Sequence, residues 1–147
     1  MFELRIVCPH CHVTNTLPEQ RLGEQPRCGG CHQPLFGGAP AELSDATFER
    51  HVARNGIPLL VDFWAPWCGP CRAMAPAFVE AAARLEPRMR LAKLNTDEAQ
   101  GIGARLGIRS IPTMILFRNG KEIARRSGAM TAGDIVRWAQ AQLAAAA

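Results

Sequence analysis

The 147-residue chain is 48% hydrophobic and 20% charged, with a formal net charge of +4. That length suits one ordinary domain with room for a small appendage, and that balance suits a globular chain with a real core. No run approaches the roughly 18 consecutive apolar residues of a membrane span, and no basic run exceeds Arg125-Arg126, so neither a membrane nor a nucleic acid is the expected partner.

Residues 1–38 stand apart from the rest. They hold four of the six cysteines, three of the four histidines and many Pro and Gly, with no sustained helical period. Met1–His12 lacks the apolar stretch of a secretory signal, so the cytoplasm is the expected location. Cysteine clusters there usually bind metal or do chemistry. A segment this short needs such help, because apolar burial alone cannot hold it.

Cys8-Pro9-His10-Cys11 and Cys28-Gly29-Gly30-Cys31 form Cys-x2-Cys-x16-Cys-x2-Cys. This spacing is that of a zinc ribbon: each pair turns two sulfurs toward one ion, and four sulfurs close a tetrahedron. The expectation is one structural zinc per chain, held by Cys8, Cys11, Cys28 and Cys31. Two other readings stay open, disulfides or a thiol relay. His10, His12 and His32 read as flanking surface residues. An oxidant that strips the zinc would loosen this lobe, since oxidised sulfur ligates zinc poorly.

Gly37-Gly38-Ala39-Pro40 reads as a linker, giving a metal-binding lobe at 1–38 and a second domain at 39–147. A short strand near Pro40–Leu43 is followed by a helix capped by Ser44 and running to Arg54. Ile57–Trp64 is a strand apolar on both faces, hence central. A helix over Cys71–Leu85 carries Pro76, which should kink it. Met89–Asn95 is a strand and Asp97–Leu106 a short helix. Thr113–Arg118 and Lys121–Arg126 form a hairpin about Asn119-Gly120. Thr131–Leu143 is the last helix, with Ala144–Ala147 fraying. The order predicts an α/β fold with a mixed central sheet and helices on both faces.

Trp67-Cys68-Gly69-Pro70-Cys71 lies where the central strand passes into a helix. Unpaired N–H groups and the helix dipole favour a thiolate on the first sulfur. The second is close enough to close a disulfide, the minimum for two-electron thiol–disulfide exchange. Asp62 is a lone carboxylate in an apolar strand, so burial should raise its pKa and make it a candidate base for Cys71.

Residues 41–147 resemble a thioredoxin. The resemblance rests on Val61–Cys71, Lys93-Leu94-Asn95, Gly107–Thr113, Phe117–Gly120 and Gly128. With its four-cysteine beginning, the whole chain resembles the zinc-binding bacterial branch of that family. The resemblance implies a thioredoxin fold plus a small zinc-ribbon-like lobe. It implies a protein-disulfide reductase, served by a thioredoxin-reductase-type electron donor and acting on disulfide-containing clients as a monomer. Cys68 would attack, from a pKa of about 7 in the family against about 8.5 for free cysteine. As first of the pair it should be the more exposed sulfur, with Cys71 resolving from deeper. The resemblance also makes Lys93 the modulating partner of Asp62, and Pro112 the cis-proline facing the disulfide. Clients would lie along Trp67, Gly69, Pro70, Gly107, Ile111, Gly128 and Ala129, with Trp64 packing beneath. Ser110, Thr96 and Ser127 depart from the usual pattern and bear on client range. The alternative is a zinc-ribbon binding module on a thioredoxin-fold scaffold. A net oxidant or isomerase is disfavoured by Gly69-Pro70 and the absent export signal.

Overall fold

The computed structural model describes residues 2–146. The chain opens with two strands that had no expectation, β1 (Glu3–Val7) and β2 (Thr14–Pro18), paired antiparallel. A 3-10 turn over Glu19–Glu24 follows. Then come β3 (Ala41–Leu43), α1 (Phe48–Arg54), β4 (Leu59–Trp64), α2 (Gly69–Leu85), β5 (Arg90–Asn95), α3 (Gln100–Arg105), β6 (Thr113–Arg118), β7 (Lys121–Ser127) and α4 (Ala132–Ala146).

The main sheet has five strands in the order β3-β5-β4-β6-β7. β4 is central, parallel to β5 and antiparallel to β6, so the sheet is mixed as expected. Alternation along β4 divides its side chains between two cores. Leu59, Val61 and Phe63 pack with Phe48 and Val52 of α1 and Ile102 of α3. Leu60 packs with Met74 and Phe78 of α2 and Ile135 of α4. Both faces of the sheet are thus covered.

Several helix ends differ from expectation, each for a local reason. Ser44 does not cap α1. It opens a turn instead, in which its carbonyl accepts from Phe48 N–H at 2.9 Å and Thr47 Oγ1 accepts from Ser44 N–H at 2.9 Å. α2 starts at Gly69, two residues before Cys71, because Pro70 needs no N–H partner in a first turn. α3 starts late because the Asn95 side chain takes the Asp97 N–H at 2.9 Å and holds that stretch in a turn. α4 runs on through Ala146, as alanine favours, instead of fraying from Ala144. Ala147 lies outside the described residues.

The N-terminal strands pack against one end of the sheet. Gly56 N–H donates to the Arg5 carbonyl at 2.6 Å, and Val7 N–H donates to Asn55 Oδ1 at 2.9 Å. Ile57 joins Ile6, Cys8, Cys28 and Leu35 in a third apolar cluster. Arg90, fully buried, donates to the Leu35 carbonyl at 2.6 Å and to Glu86 Oε2 at 2.7 Å, with Phe36 stacked on its guanidinium at 4.6 Å. All these contacts lie where β4 and β5 begin and α2 ends.

Candidate functional site

Cys68 and Cys71 are joined as a disulfide just beyond the other end of β4. Cys68 is the N-cap of α2, and its sulfur takes the position that a Ser or Asp oxygen usually fills. It accepts from Cys71 N–H at 3.2 Å. An N–H aimed at the first sulfur favours its anion. Both residues of the pair are buried, Cys68 slightly less so than Cys71. The residues are 4% and 2% exposed, because Trp64, Ala65 and Ile111 pack around both. The difference between them lies in hydrogen bonding.

Asp62 is fully buried and neither of its oxygens has a hydrogen-bond partner among the described residues. By alternation it shares the α2 side of the sheet with Leu60. Burial pushes its pKa up to about 7, opposed by the charge of Lys93. Lys93 is its register partner on β5, with the ammonium 4.4 Å from the centre of the Trp64 ring.

The Ile111-Pro112 bond is cis, and the Ile111 carbonyl lies 3.7 Å from Cys68 Sγ. Gly128 N–H donates to the Pro112 carbonyl at 2.9 Å from a φ of 100°, a backbone shape that favours glycine. Gly107, at φ 68°, closes α3: its N–H reaches Ala104 and that of Ile108 reaches Gly103, which is a complete Schellman cap. Both glycines shape the loops beside the disulfide.

A groove of about 340 Å³ runs beside the disulfide, with Trp67, Thr96, Gly103, Ile108, Arg109 and Ile111 among its walls. Trp67 is 68% exposed, and its indole N–H donates to Asp97 Oδ1 at 3.2 Å. Thr96 turns its hydroxyl inward to the Trp64 carbonyl at 3.1 Å, leaving its methyl toward Gly103. The groove therefore stays apolar there despite the threonine. Ser127 is likewise tied to Thr113, at 2.8 Å. Ala129 lines a separate, larger cleft of about 690 Å³ between α2 and the start of α4. Gly69 and Pro70 are exposed and line neither. Of the expected client-contact residues, Trp67 and Ile111 line the groove and Ala129 lines the cleft.

The other four cysteines converge. Sγ atoms of Cys8, Cys11, Cys28 and Cys31 all lie within 4.8 Å of one another, with Cys11–Cys28 at 3.5 Å and Cys8–Cys31 at 3.6 Å. Sulfurs placed about 2.3 Å from one zinc in a tetrahedron lie about 3.8 Å apart, so the set fits that ion. Each pair is followed by a histidine at φ 65°, His12 or His32, whose N–H returns to the first cysteine's carbonyl. N–H groups of His10 and Cys11 point at Cys8 Sγ, and those of Gly30 and Cys31 at Cys28 Sγ. Burial would raise the Cys28 pKa, but these N–H groups and the Asn15 amide outweigh it and bring it to about 6. For Cys11, a bond from Val13 is outweighed by desolvation and the neighbouring sulfurs, which push its pKa up to about 11. Four crowded sulfurs cannot all ionise without a cation between them. None of the four forms a disulfide.

The two sulfur sets lie at opposite ends of the fold. β4 spans about 20 Å and α2 about 25 Å between them. A direct thiol relay needs sulfur contact, and this placement excludes it. His12 is not a free surface histidine either. Its Nδ1 lies 2.9 Å from Nε2 of His51, a fully buried residue of α1 with no signal in the sequence. Asn15, Arg90 and Glu86 were missed as well, since each owes its role to a residue distant in the chain.

Residues 39–141 match the family model described as thioredoxin, and residues 7–33 match the one described as thioredoxin 2, N-terminal. The chain is 39% identical over 138 residues to thioredoxin C-3 of Corynebacterium nephridii, covering 94% of each. It is 45% identical over 92 residues to thioredoxin 1 of Nostoc sp., covering 63% of this chain and 86% of that one. The M-type chloroplastic thioredoxin of Chlamydomonas reinhardtii is 43% identical over 101 residues, 69% of this chain and 72% of its own. With Cys68 capping α2 just past the central strand and bonded to Cys71 in its first turn, the chain belongs to the thioredoxin family and is a thiol–disulfide oxidoreductase with an N-terminal zinc-ribbon module.

Proposed function

We propose that the protein reduces disulfides in client proteins through Cys68 and Cys71, with Cys68 as nucleophile. The observation that carries this assignment is the Cys71 N–H aimed at Cys68 Sγ, a hydrogen bond that Cys71 Sγ does not receive in return. The Cys68 thiolate attacks one sulfur of a client disulfide. That S–S bond breaks, and its other sulfur leaves as a thiolate and takes a proton. Cys71 then gives its proton to Asp62 and attacks Cys68 Sγ. The second client sulfur leaves, and Cys68–Cys71 is oxidised as the client gains two electrons. A reductase of the thioredoxin-reductase class returns those electrons.

Asp62 acts here as a proton holder with a pKa near neutrality, and Lys93 modulates it. Ile111, before Pro112, offers backbone to an extended client segment, which suits many sequences. Trp67, Gly69, Pro70, Gly107, Gly128 and Ala129 frame the approach. The reading divides the chain into a zinc lobe at 1–38 and a redox domain at 39–147, and takes the protein as a cytoplasmic monomer. Cys8, Cys11, Cys28 and Cys31 would hold one zinc. With all four positions filled by sulfur, the ion supplies structure and no step of the reaction.

Insulin reduction by wild type and Cys68→Ser tests the assignment. Loss of activity in the variant supports it. An equal rate would favour the scaffold reading, in which the ribbon binds a partner and the redox fold only carries it.

A further inference from the structure

We infer that Asn15 is a positioning residue of the four-sulfur centre, fixing Cys28 in place through a hydrogen bond from its side-chain amide. The inference rests on the zinc reading above.

Asn15 lies on β2, two residues beyond Val13, whose carbonyl accepts from Cys8 N–H at 2.9 Å and so closes the first cysteine turn. Its side chain reaches across to the second turn. Gly29 N–H, which can only donate, lies 2.8 Å from Oδ1. That contact fixes which end of the amide is oxygen. The NH2 group is then left 3.5 Å from Cys28 Sγ, within reach of a sulfur acceptor, and 3.4 Å from the Val13 carbonyl. One amide thus bonds the strand leaving the first turn, the backbone of the second turn and a sulfur of the centre.

The effect is specific to Cys28. Cys8 and Cys28 each receive two backbone N–H groups from their own turn, and among the described residues a side-chain N–H adds a third bond at Cys28 alone. A Cβ added at Gly30 would meet Val13 Cγ1 at 3.2 Å, so the second turn already sits tight against the first. Asn15 is the side chain that bonds both. Outer contacts of this kind usually change metal affinity by 10- to 100-fold.

The test compares full-length wild type, Asn15→Ala and Asn15→Asp, each loaded with zinc. Zinc content is measured first, followed by the rate of zinc transfer to a colorimetric chelator in excess. Wild type should hold one zinc and release it slowly, with Asn15→Ala about 10- to 100-fold faster. Asn15→Asp keeps an oxygen for Gly29 N–H but removes the donor to sulfur, and it should also release zinc fast. Cobalt(II) in place of zinc gives a second readout. Losing a hydrogen bond raises the energy of the sulfur electrons, so the sulfur-to-cobalt band of both variants should move to longer wavelength. A wild-type rate and an unmoved band in both variants would overturn the inference and leave the zinc reading intact. Asn15→Asp at the wild-type rate, with Asn15→Ala fast, would overturn the bond to sulfur in favour of backbone support alone. A wild type without zinc would overturn the zinc reading and the inference together.

Discussion

Asp62 and Lys93 face each other across paired strands, yet the Lys93 ammonium lies against the ring of Trp64 and both Asp62 oxygens are left without a partner. A carboxylate buried this way is held against its own ionisation. The folded pKa of Asp62 is raised to about 7, so the native state binds a proton that the unfolded state loses near 3.8. The contribution is therefore fully favourable below about 4 and is lost as pH rises through 7. Asp62→Asn should be more stable than wild type at pH 8, with a margin that shrinks on acidification by about 1.4 kcal/mol per pH unit between 7 and 4. Urea denaturation of the oxidised proteins across that range measures it. The same variant should resolve mixed disulfides more slowly.

His51 carries the opposite linkage. Burial, with the charges of His12, Arg90 and Arg50, pushes its pKa down to about 3 from 6.5. Its unfolded form gains a proton first, so stability present above 6.5 is lost as pH falls toward 3. Between about 4 and 6.5 the two slopes oppose one another. The wild-type profile should be shallow there, Asp62→Asn should lose stability on acidification, and His51→Gln should gain it. Parallel curves for all three proteins would contradict both assignments.

Arg90 and Glu86 form a fully desolvated pair where the ribbon meets the sheet, and Glu86 also accepts from Gly38 N–H at 2.9 Å. Arg90→Met leaves the Glu86 charge and the Leu35 carbonyl buried without that partner. The expected loss is on the order of 3–5 kcal/mol, measured by chemical denaturation. The double variant Arg90→Met with Glu86→Gln removes both charges and should recover part of the loss. A double variant as unstable as the single one would show that packing on Phe36, and not charge, dominates the site.

Cys71→Ser should hold clients as mixed disulfides at Cys68, because the second step has lost its attacking sulfur. Mass spectrometry after incubation with an oxidised protein should find one client per chain, releasable by dithiothreitol. Cys68→Ser should trap little or nothing. Equal trapping by the two variants would remove the order of events proposed above.

What was legible in the sequence was local. Ile57–Trp64 announced a central strand by being apolar on both faces, although pairing begins only at Leu59 because Ile57 packs into the ribbon. Asn119-Gly120 announced its hairpin, and both residues take positive φ. Asp62 stood out as a lone carboxylate among apolar neighbours, and burial was the physical consequence. Cys-x2-Cys spacing announced two metal-ready turns, since four residues suffice to make each. The strands β1 and β2 were not legible, because their support comes from Ile57, Leu35 and the cysteines rather than from their own period. His51 and Arg90 read as ordinary helix and strand residues. Only the fold brings His12 and Leu35 to them across 39 and 55 residues of chain.

The proposed reaction requires that Cys68 ionise readily while Cys71 holds its proton. Alkylation of the reduced protein by iodoacetamide, followed from pH 5 to 10 with the modified cysteine identified by mass spectrometry, tests it most directly. Cys68 should react first with a half-point near 7, and Cys71 should react slowly until well above pH 8.5, the value of a free thiol. Equal reaction of both, each with a half-point near 8.5, would contradict it.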